Sequence, residues 1–184
     1  MKRLLLLISV ILITLAVSAS MATPHIQRAL YPLKYSTIID KYSQKLELDP
    51  YLIAAIIYEE SRFKKDSRSG AGALGLMQIM PETAKWISSK SKMDINDGKL
   101  FEPKENIALG TWYFSWLLNK YQSETLALAA YNGGDKNIDK WLDEHEDISE
   151  EEFIKKIPFE ETRNYVERVQ ISRSKYETLY PKEF

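Results

Sequence analysis

The chain has 184 residues, 45% of them hydrophobic and 28% charged, a balance that suits one compact globular domain once any targeting segment is set aside. Twenty-five basic against 26 acidic side chains leave a formal charge of -1, so no overall basic field exists to recruit nucleic acid. Cysteine is absent, which excludes disulfides, thiolate chemistry, Cys-bearing metal sites and an acylated lipoprotein cysteine.

Lys2 and Arg3 precede an almost uninterrupted apolar run from Leu4 to Val17, followed by small residues through Ala22, which is the pattern of an export signal. Val17-Ser18-Ala19 and Ser20-Met21-Ala22 each offer a cleavage site; the alternative is an uncleaved anchor holding residues 4–19 in the membrane. Either outcome places the chain from about Thr23 onward outside the cytoplasm. Residues 1–22 are thus read as signal peptide or anchor, 23–34 as a Pro-containing linker and 35–184 as one folded domain. His25 and His145 stand alone, so neither a metal site nor a cofactor is expected. The protein is expected to be a monomer.

Tyr35, Ile38, Ile39, Tyr42 and Leu46 recur at a helical period and predict a first amphipathic helix. Asp49 is a good N-cap and Pro50 a good first helical residue, so a second helix is predicted from Pro50 to about Ser61. Lys64 to Gly75 is polar, then small and Gly-rich, and reads as an ordered loop because apolar Leu74, Leu76 and Met77 come at once. Pro81 starts a short helix and Pro103 a longer one, in which Gly110 is expected to admit a neighbouring helix. Leu126 to Tyr131 predicts a short helix stopped by Asn132-Gly133-Gly134, and Ile138, Trp141 and Leu142 mark another. Ser149 with Glu152 forms a capping box, and Val166, Val169, Tyr176 and Leu179 lie on a last helix from Phe159 to about Tyr180. No period-2 run or hairpin signal appears, so the fold is mainly α, with about seven or eight helices.

The predicted second helix carries a misplaced charge. With Leu52 at zero, about 100° per residue puts Ile56 at about 40°, Glu60 at about 80° and Ile53 at about 100°, with Glu59 at about 340°. Glu60 therefore lies within the aliphatic stripe, while Glu59 falls at its edge, where a solvated carboxylate costs little. A carboxyl in an apolar setting resists ionisation, which suits a general acid working near neutral pH. The wheel alone is equally compatible with a buried carboxyl satisfied by a helix N-terminus or an arginine.

Residues further along the chain separate the two readings. Glu60-Ser61-Arg62-Phe63, Ser69 and Gly72-Ala-Leu-Gly-Leu-Met-Gln-Ile-Met-Pro81 resemble the soluble lytic transglycosylases of the lysozyme superfamily. The likeness continues in family order through Phe101-Glu102-Pro103-Lys104-Glu105-Asn106-Ile107, Ala130-Tyr131-Asn132-Gly133-Gly134, and Pro158 with Glu161-Thr162-Arg163 and Tyr165-Val166. It implies a lysozyme-like single domain around a substrate cleft. It also implies cleavage of the β-1,4 bond between N-acetylmuramic acid and N-acetylglucosamine in peptidoglycan glycan strands, leaving a 1,6-anhydro product. Glu60 matches the catalytic acid/base. Ser69, Met77, Gln78, Tyr131, Asn132 and Tyr165 match substrate-contacting or orienting positions, although Met77 by residue type belongs in a core. Ser61, Gly72, Gly75 and Glu161 are supporting positions: the glycines could let backbone approach a sugar ring or serve turn geometry alone, and Glu161 is expected to hydrogen-bond loop backbone.

Three other readings compete. Gly70 to Gly75 fits G-x-G-x-x-G, but a helix precedes it and no strands are apparent, so a dinucleotide site is rejected. A goose-type muramidase would need Asp94, Asp97 or Glu102 to position a water. A noncatalytic peptidoglycan-binding protein would rely on exposed Trp86, Trp112, Trp116 and Trp141, for which core packing is the expected use.

Overall fold

The computed structural model describes Thr23 and residues 25–91, 99–145 and 148–184. The segment 1–22, read above as a signal peptide or anchor, and the acids Asp94 and Asp97 lie outside the described residues. Residues 25–30 are helical. Eight further helices are described: α1 (Ser36–Lys45), α2 (Pro50–Ser61), α3 (Pro81–Ser91), α4 (Pro103–Tyr121), α5 (Glu124–Gly133), α6 (Asp135–Asp143), α7 (Glu150–Lys156) and α8 (Glu160–Leu179). No strand occurs among the described residues; the only extended pairings there are the isolated bridges Arg68–Leu74 and Leu74–Ile79. No helix among them is long and apolar enough to cross a membrane.

The caps explain several boundaries. Asp49 Oδ1 accepts from Tyr51 N at 2.9 Å and Pro50 needs no hydrogen-bond partner, so α2 begins cleanly. It stops where Arg62 and Phe63 adopt φ of 52° and 58°. Ser123 Oγ accepts from Leu126 N at 3.1 Å to start α5, and Ser149 Oγ from Glu152 N at 3.3 Å to start α7. α5 runs two residues beyond the expected stop, because Asn132 and Gly133 remain helical and the left-handed turn falls at Gly134, φ 86°.

α2 is the central element. Ile53, Ala54, Ala55, Ile56 and Ile57 are all 0% exposed, so the helix is covered on every side rather than along one stripe. α8 packs against it more extensively than any other helix does. Each of its buried isoleucines contributes about 1.5–3 kcal/mol of transfer free energy.

The stretch read as a linker does more than link. Arg28 Nε and Nη2 donate to Leu179 O at 3.1 and 2.9 Å, placing a cation on the C-terminus of α8. Tyr31 stacks on Tyr58 with ring centroids 4.7 Å apart, and Tyr180 Oη donates to Tyr31 O at 2.9 Å. Periodicity gave no hint of this, since the contacts are made by isolated aromatic and charged groups.

Candidate active site

The loop between α2 and α3 is built on buried polar contacts. Leu74 and Ile79 exchange both backbone hydrogen bonds, at 3.1 and 3.0 Å, and Gly75 N donates to Ser67 O at 2.9 Å. Asn106 of α4, 0% exposed, clamps the turn: its Oδ1 accepts from Met77 N at 2.7 Å, and its Nδ2 donates to Leu74 O and Leu100 O at 2.9 and 2.8 Å. Sequence reasoning missed this residue, since only an asparagine opposite an unpaired loop backbone does this work and that backbone is invisible in a helical pattern. Ser61 Oγ donates to Leu76 O at 2.7 Å, tying the end of α2 to the same turn.

Glu60 opens onto a cavity of about 630 Å³. Ser69, Ala71, Ala73, Gln78 and Met80 form one wall from the loop; Tyr131, Asn132, Gly133 and Asn137 form another; Phe159 to Thr162 close a third. Of the expected substrate positions, Ser69, Gln78, Tyr131 and Asn132 therefore meet around Glu60. Ser69 also serves as a loop cap, its Oγ accepting from Ala73 N at 2.9 Å. Gln78, at φ 48°, anchors its Nε2 on Gly75 O at 2.8 Å. Asn132 Oδ1 accepts from Thr162 Oγ1 at 2.8 Å, and Tyr131 Oη donates to Met77 O at 2.8 Å.

Several expectations are corrected. Met77 is 0% exposed and packs over Gly110, where an added Cβ would meet its sulfur at 2.4 Å, so the close approach at Gly110 admits this side chain and not a helix. The methionine on the cavity wall is Met80, 38% exposed, three residues on. Gly75, φ 80°, has no room for a Cβ because Asn106 Nδ2 and Leu100 O would lie 2.3 and 2.4 Å from it, so protein and not sugar lies against it. Gly72 has open space and is required by its φ of 95°. Glu161 lines the cavity and makes no hydrogen bond to loop backbone among the described residues. Of the tryptophans only Trp141 is buried, at 8% exposure, whereas Trp86, Trp112 and Trp116 are half-buried. Glu102 precedes the first turn of α4 and is not part of the cavity wall.

The largest correction concerns Glu59. Its side chain is 4% exposed, not solvated, and each oxygen is held: Ser172 Oγ donates to Oε1 at 2.6 Å, Arg168 Nε to Oε2 at 3.2 Å, and Arg62 spans both at 3.3 Å. The wheel failed because α8 covers the face that a one-sided helix would leave to water.

Glu60 has no such cation in contact. Burial pushes its carboxyl up from 4.5 to about 7; the nearby Tyr165 hydroxyl opposes this, the negative charges of Glu161 and Glu59 add to it, and Arg168 opposes it more weakly. Tyr165 is 2% exposed, lies beneath the carboxyl rather than on the cavity wall, and its Oη makes no hydrogen bond of normal geometry among the described residues. The site thus holds one buried carboxyl poised near neutrality, beside neutral hydrogen-bonding groups and the exposed acidic side chains of Glu160 and Glu161.

Comparisons with known proteins identify the family. Residues 37–154 match the family described as "Transglycosylase SLT domain". The soluble lytic murein transglycosylase of Salmonella typhimurium is 34% identical over 145 residues, 76% of this chain and 22% of that protein. Among solved structures, an inactive mutant of the lytic transglycosylase Slt from Pseudomonas aeruginosa superposes with a TM-score of 0.75 at 35% identity, over 80% of this chain and 24% of that one. A 70-kDa soluble lytic transglycosylase in complex with bulgecin A gives a TM-score of 0.77 at 31% identity, over 83% and 25%. The chain therefore spans about a quarter of the length of these relatives. Fold, motif order and cavity all lead to one family: the chain belongs to the transglycosylase SLT domain family.

Proposed function

We propose that this protein is a peptidoglycan lytic transglycosylase working outside the cytoplasm, with Glu60 as its single acid and base. The observation that carries this reading is a carboxyl raised to about 7, opening onto a cavity of about 630 Å³ whose other lining side chains are neutral apart from the exposed Glu160 and Glu161. Protonated Glu60 gives its proton to the glycosidic oxygen as the bond from the muramic anomeric carbon breaks, with assistance from the substrate's own acetamido group. The resulting carboxylate takes the proton of the muramic 6-hydroxyl, whose oxygen closes the 1,6-anhydro ring. Glu60 ends protonated again and water is not consumed, so no second carboxylate is needed as nucleophile.

Ser69, Gln78 and Asn132 bind sugar hydroxyl and acetamido groups, Tyr131 and Met80 form the apolar wall, and Tyr165 steadies the carboxylate form of Glu60 between the two proton transfers. No cofactor takes part in this scheme. The apolar run at residues 4–19 delivers the chain across the membrane or tethers it there.

Mass spectrometry of digested peptidoglycan tests the reaction. Muropeptides ending in anhydromuramic acid, one water lighter than reducing ends, are expected from the wild type and none from Glu60→Gln. Reducing ends alone would overturn the transglycosylase reading in favour of a muramidase.

A further inference from the structure

Ile26 and Leu30 are the most exposed large apolar side chains among the described residues, at 58% and 62%, and stand one turn apart on the helix at residues 25–30. We propose that this apolar pair and the lysine-lined pocket that follows it, at Lys34, Lys64 and Lys65, form a face that docks the domain onto a bilayer carrying anionic lipid headgroups.

The place of the pair in the chain is the first argument. A spacing of four puts both side chains on one face of the helix, and showing two together to water forfeits the transfer free energy that burial would give. The apolar run of residues 4–17 ends nine residues before Ile26. With that run retained as a tether, the helix starts within about 32 Å of the lipid, however extended the chain between them. An apolar face so close to a bilayer has the acyl boundary as its nearest cover.

Charge is the second argument. Lys34, Lys64 and Lys65 line a cavity of about 430 Å³ together with Tyr35 and Phe63. Asp66 alone opposes them in that cavity and engages Lys65, at 3.0 Å, so Lys34 and Lys64 have no carboxylate partner among the described residues. The chain as a whole carries a charge of -1, so this excess is local. Elsewhere the sign reverses: Asp143, Glu144, Glu150, Glu151 and Glu152 gather where α6 ends and α7 begins. α7 lies beside Arg163 of α8, whereas the helix at 25–30 holds Leu179, about 24 Å further along α8. An anionic surface therefore attracts one end of the molecule and repels the other, which selects one orientation.

The apolar pair and the lysines also belong to one rigid platform. The Tyr176 ring lies 6.1 Å from both Tyr31 and Phe63, and its Oη donates to Pro32 O at 3.1 Å. Tyr31 stacks on Tyr58 of α2 as well, so the stretch from Leu30 to Lys34, at most about 14 Å long, is pinned to α2 and α8. Lipid contacts made at either end of that stretch act on the whole domain.

Full-length protein in lipid nanodiscs tests the proposal. Because the chain has no cysteine, Leu30→Cys accepts a single fluorophore, and nitroxide-bearing lipids report its contact with the bilayer by quenching. Quenching should be strong in discs of phosphatidylglycerol with phosphatidylcholine, weaker in phosphatidylcholine alone, and absent in both when the dye sits at Lys156→Cys on α7. Each of Lys34→Gln, Lys64→Gln and Lys65→Gln should lower the docked-to-undocked ratio about fivefold, or about 1 kcal/mol, and Ile26→Ser should lower it too. All these side chains are exposed, so folding is not at risk. An unquenched dye at position 30, or equal quenching at 30 and 156, overturns the docking face. Quenching indifferent to phosphatidylglycerol and to the lysines overturns the anionic headgroup as its partner. Binding of soluble polyphosphate with the dye at 30 unquenched in the discs would assign the lysines to a polyanion of the wall and overturn the bilayer. No readout here depends on Glu60, so each of these failures leaves the cleft reading intact.

Discussion

Glu59 and Glu60 are neighbours on one helix and have opposite fates. Glu59 is buried against α8 and neutralised there by Arg168, Arg62 and Ser172, so its charge is satisfied in place. Glu60 faces the cavity in an apolar setting without a cation in contact, so its carboxyl rises to about 7. The lesson is that burial alone does not make a reactive acid. A buried carboxylate given a full set of partners is a structural link between helices, and one denied them keeps its proton close to neutral pH.

The largest expected effect breaks the Glu60 side of this comparison. Glu60→Gln keeps shape and burial but removes the proton, and should lower wall-clearing activity by at least about 10²–10⁴-fold in a turbidity assay. The same substitution should raise stability. A folded-state value above that of the unfolded chain contributes stability that is full below about 4.5 and is lost as pH rises through about 7. The wild type should therefore weaken across that window relative to Glu60→Gln, by at most about 3 kcal/mol above pH 7, read as a difference in melting temperature. A wild type as stable as the mutant at pH 8 would mean that the apolar setting of Glu60 exacts no cost.

Breaking the Glu59 side should act on stability first. Arg168→Met strips a partner from a carboxylate that is 4% exposed, and should cost about 1–3 kcal/mol in denaturant unfolding. Glu59→Gln in the same chain should recover part of that loss, because the uncompensated charge is gone. An additive double mutant would show that Arg62 and Ser172 satisfy Glu59 without Arg168.

The contrast also locates what could be read from residues alone. The helix starts at Pro50, Pro81 and Pro103 were legible because proline at the first helical position is a local signal, reinforced at Pro50 by the Asp49 cap. Glu60 was legible because it interrupts an aliphatic stripe, and the loop positions Ser69 and Gln78 because their motif is specific. Glu59 was misread because α8, some 110 residues away, supplies its partners, and no pattern along α2 reports what will cover it. Asn106 escaped for the same reason: its value lies in three backbone groups of a distant turn. Asn106→Ala should cost about 2–4 kcal/mol by orphaning those groups, a loss visible as a lower melting temperature. Met77 and Met80 show a finer limit, since which of two methionines faces the cavity depends on the loop's turn and on the notch at Gly110.

The smallest effects are the most discriminating, because they move the pH profile and not the fold. In the proposed mechanism turnover begins from protonated Glu60, so kcat/KM should fall as pH rises through the value of the free enzyme. Glu161 is exposed and its charge raises Glu60, hence Glu161→Gln should move this alkaline limb to lower pH. Glu59→Gln should shift it the same way, since its charge also raises Glu60, while Arg168→Met should shift it upward because a positive charge is lost. Each displacement should be under about one pH unit, as expected for charges that do not touch the carboxyl directly. Opposite signs for Glu59→Gln and Arg168→Met cannot come from general loosening of the helix pair, which would lower activity alike at every pH. Shifts of the same sign would mean that the ion pair behind α2 acts on Glu60 through its position and not through its charge.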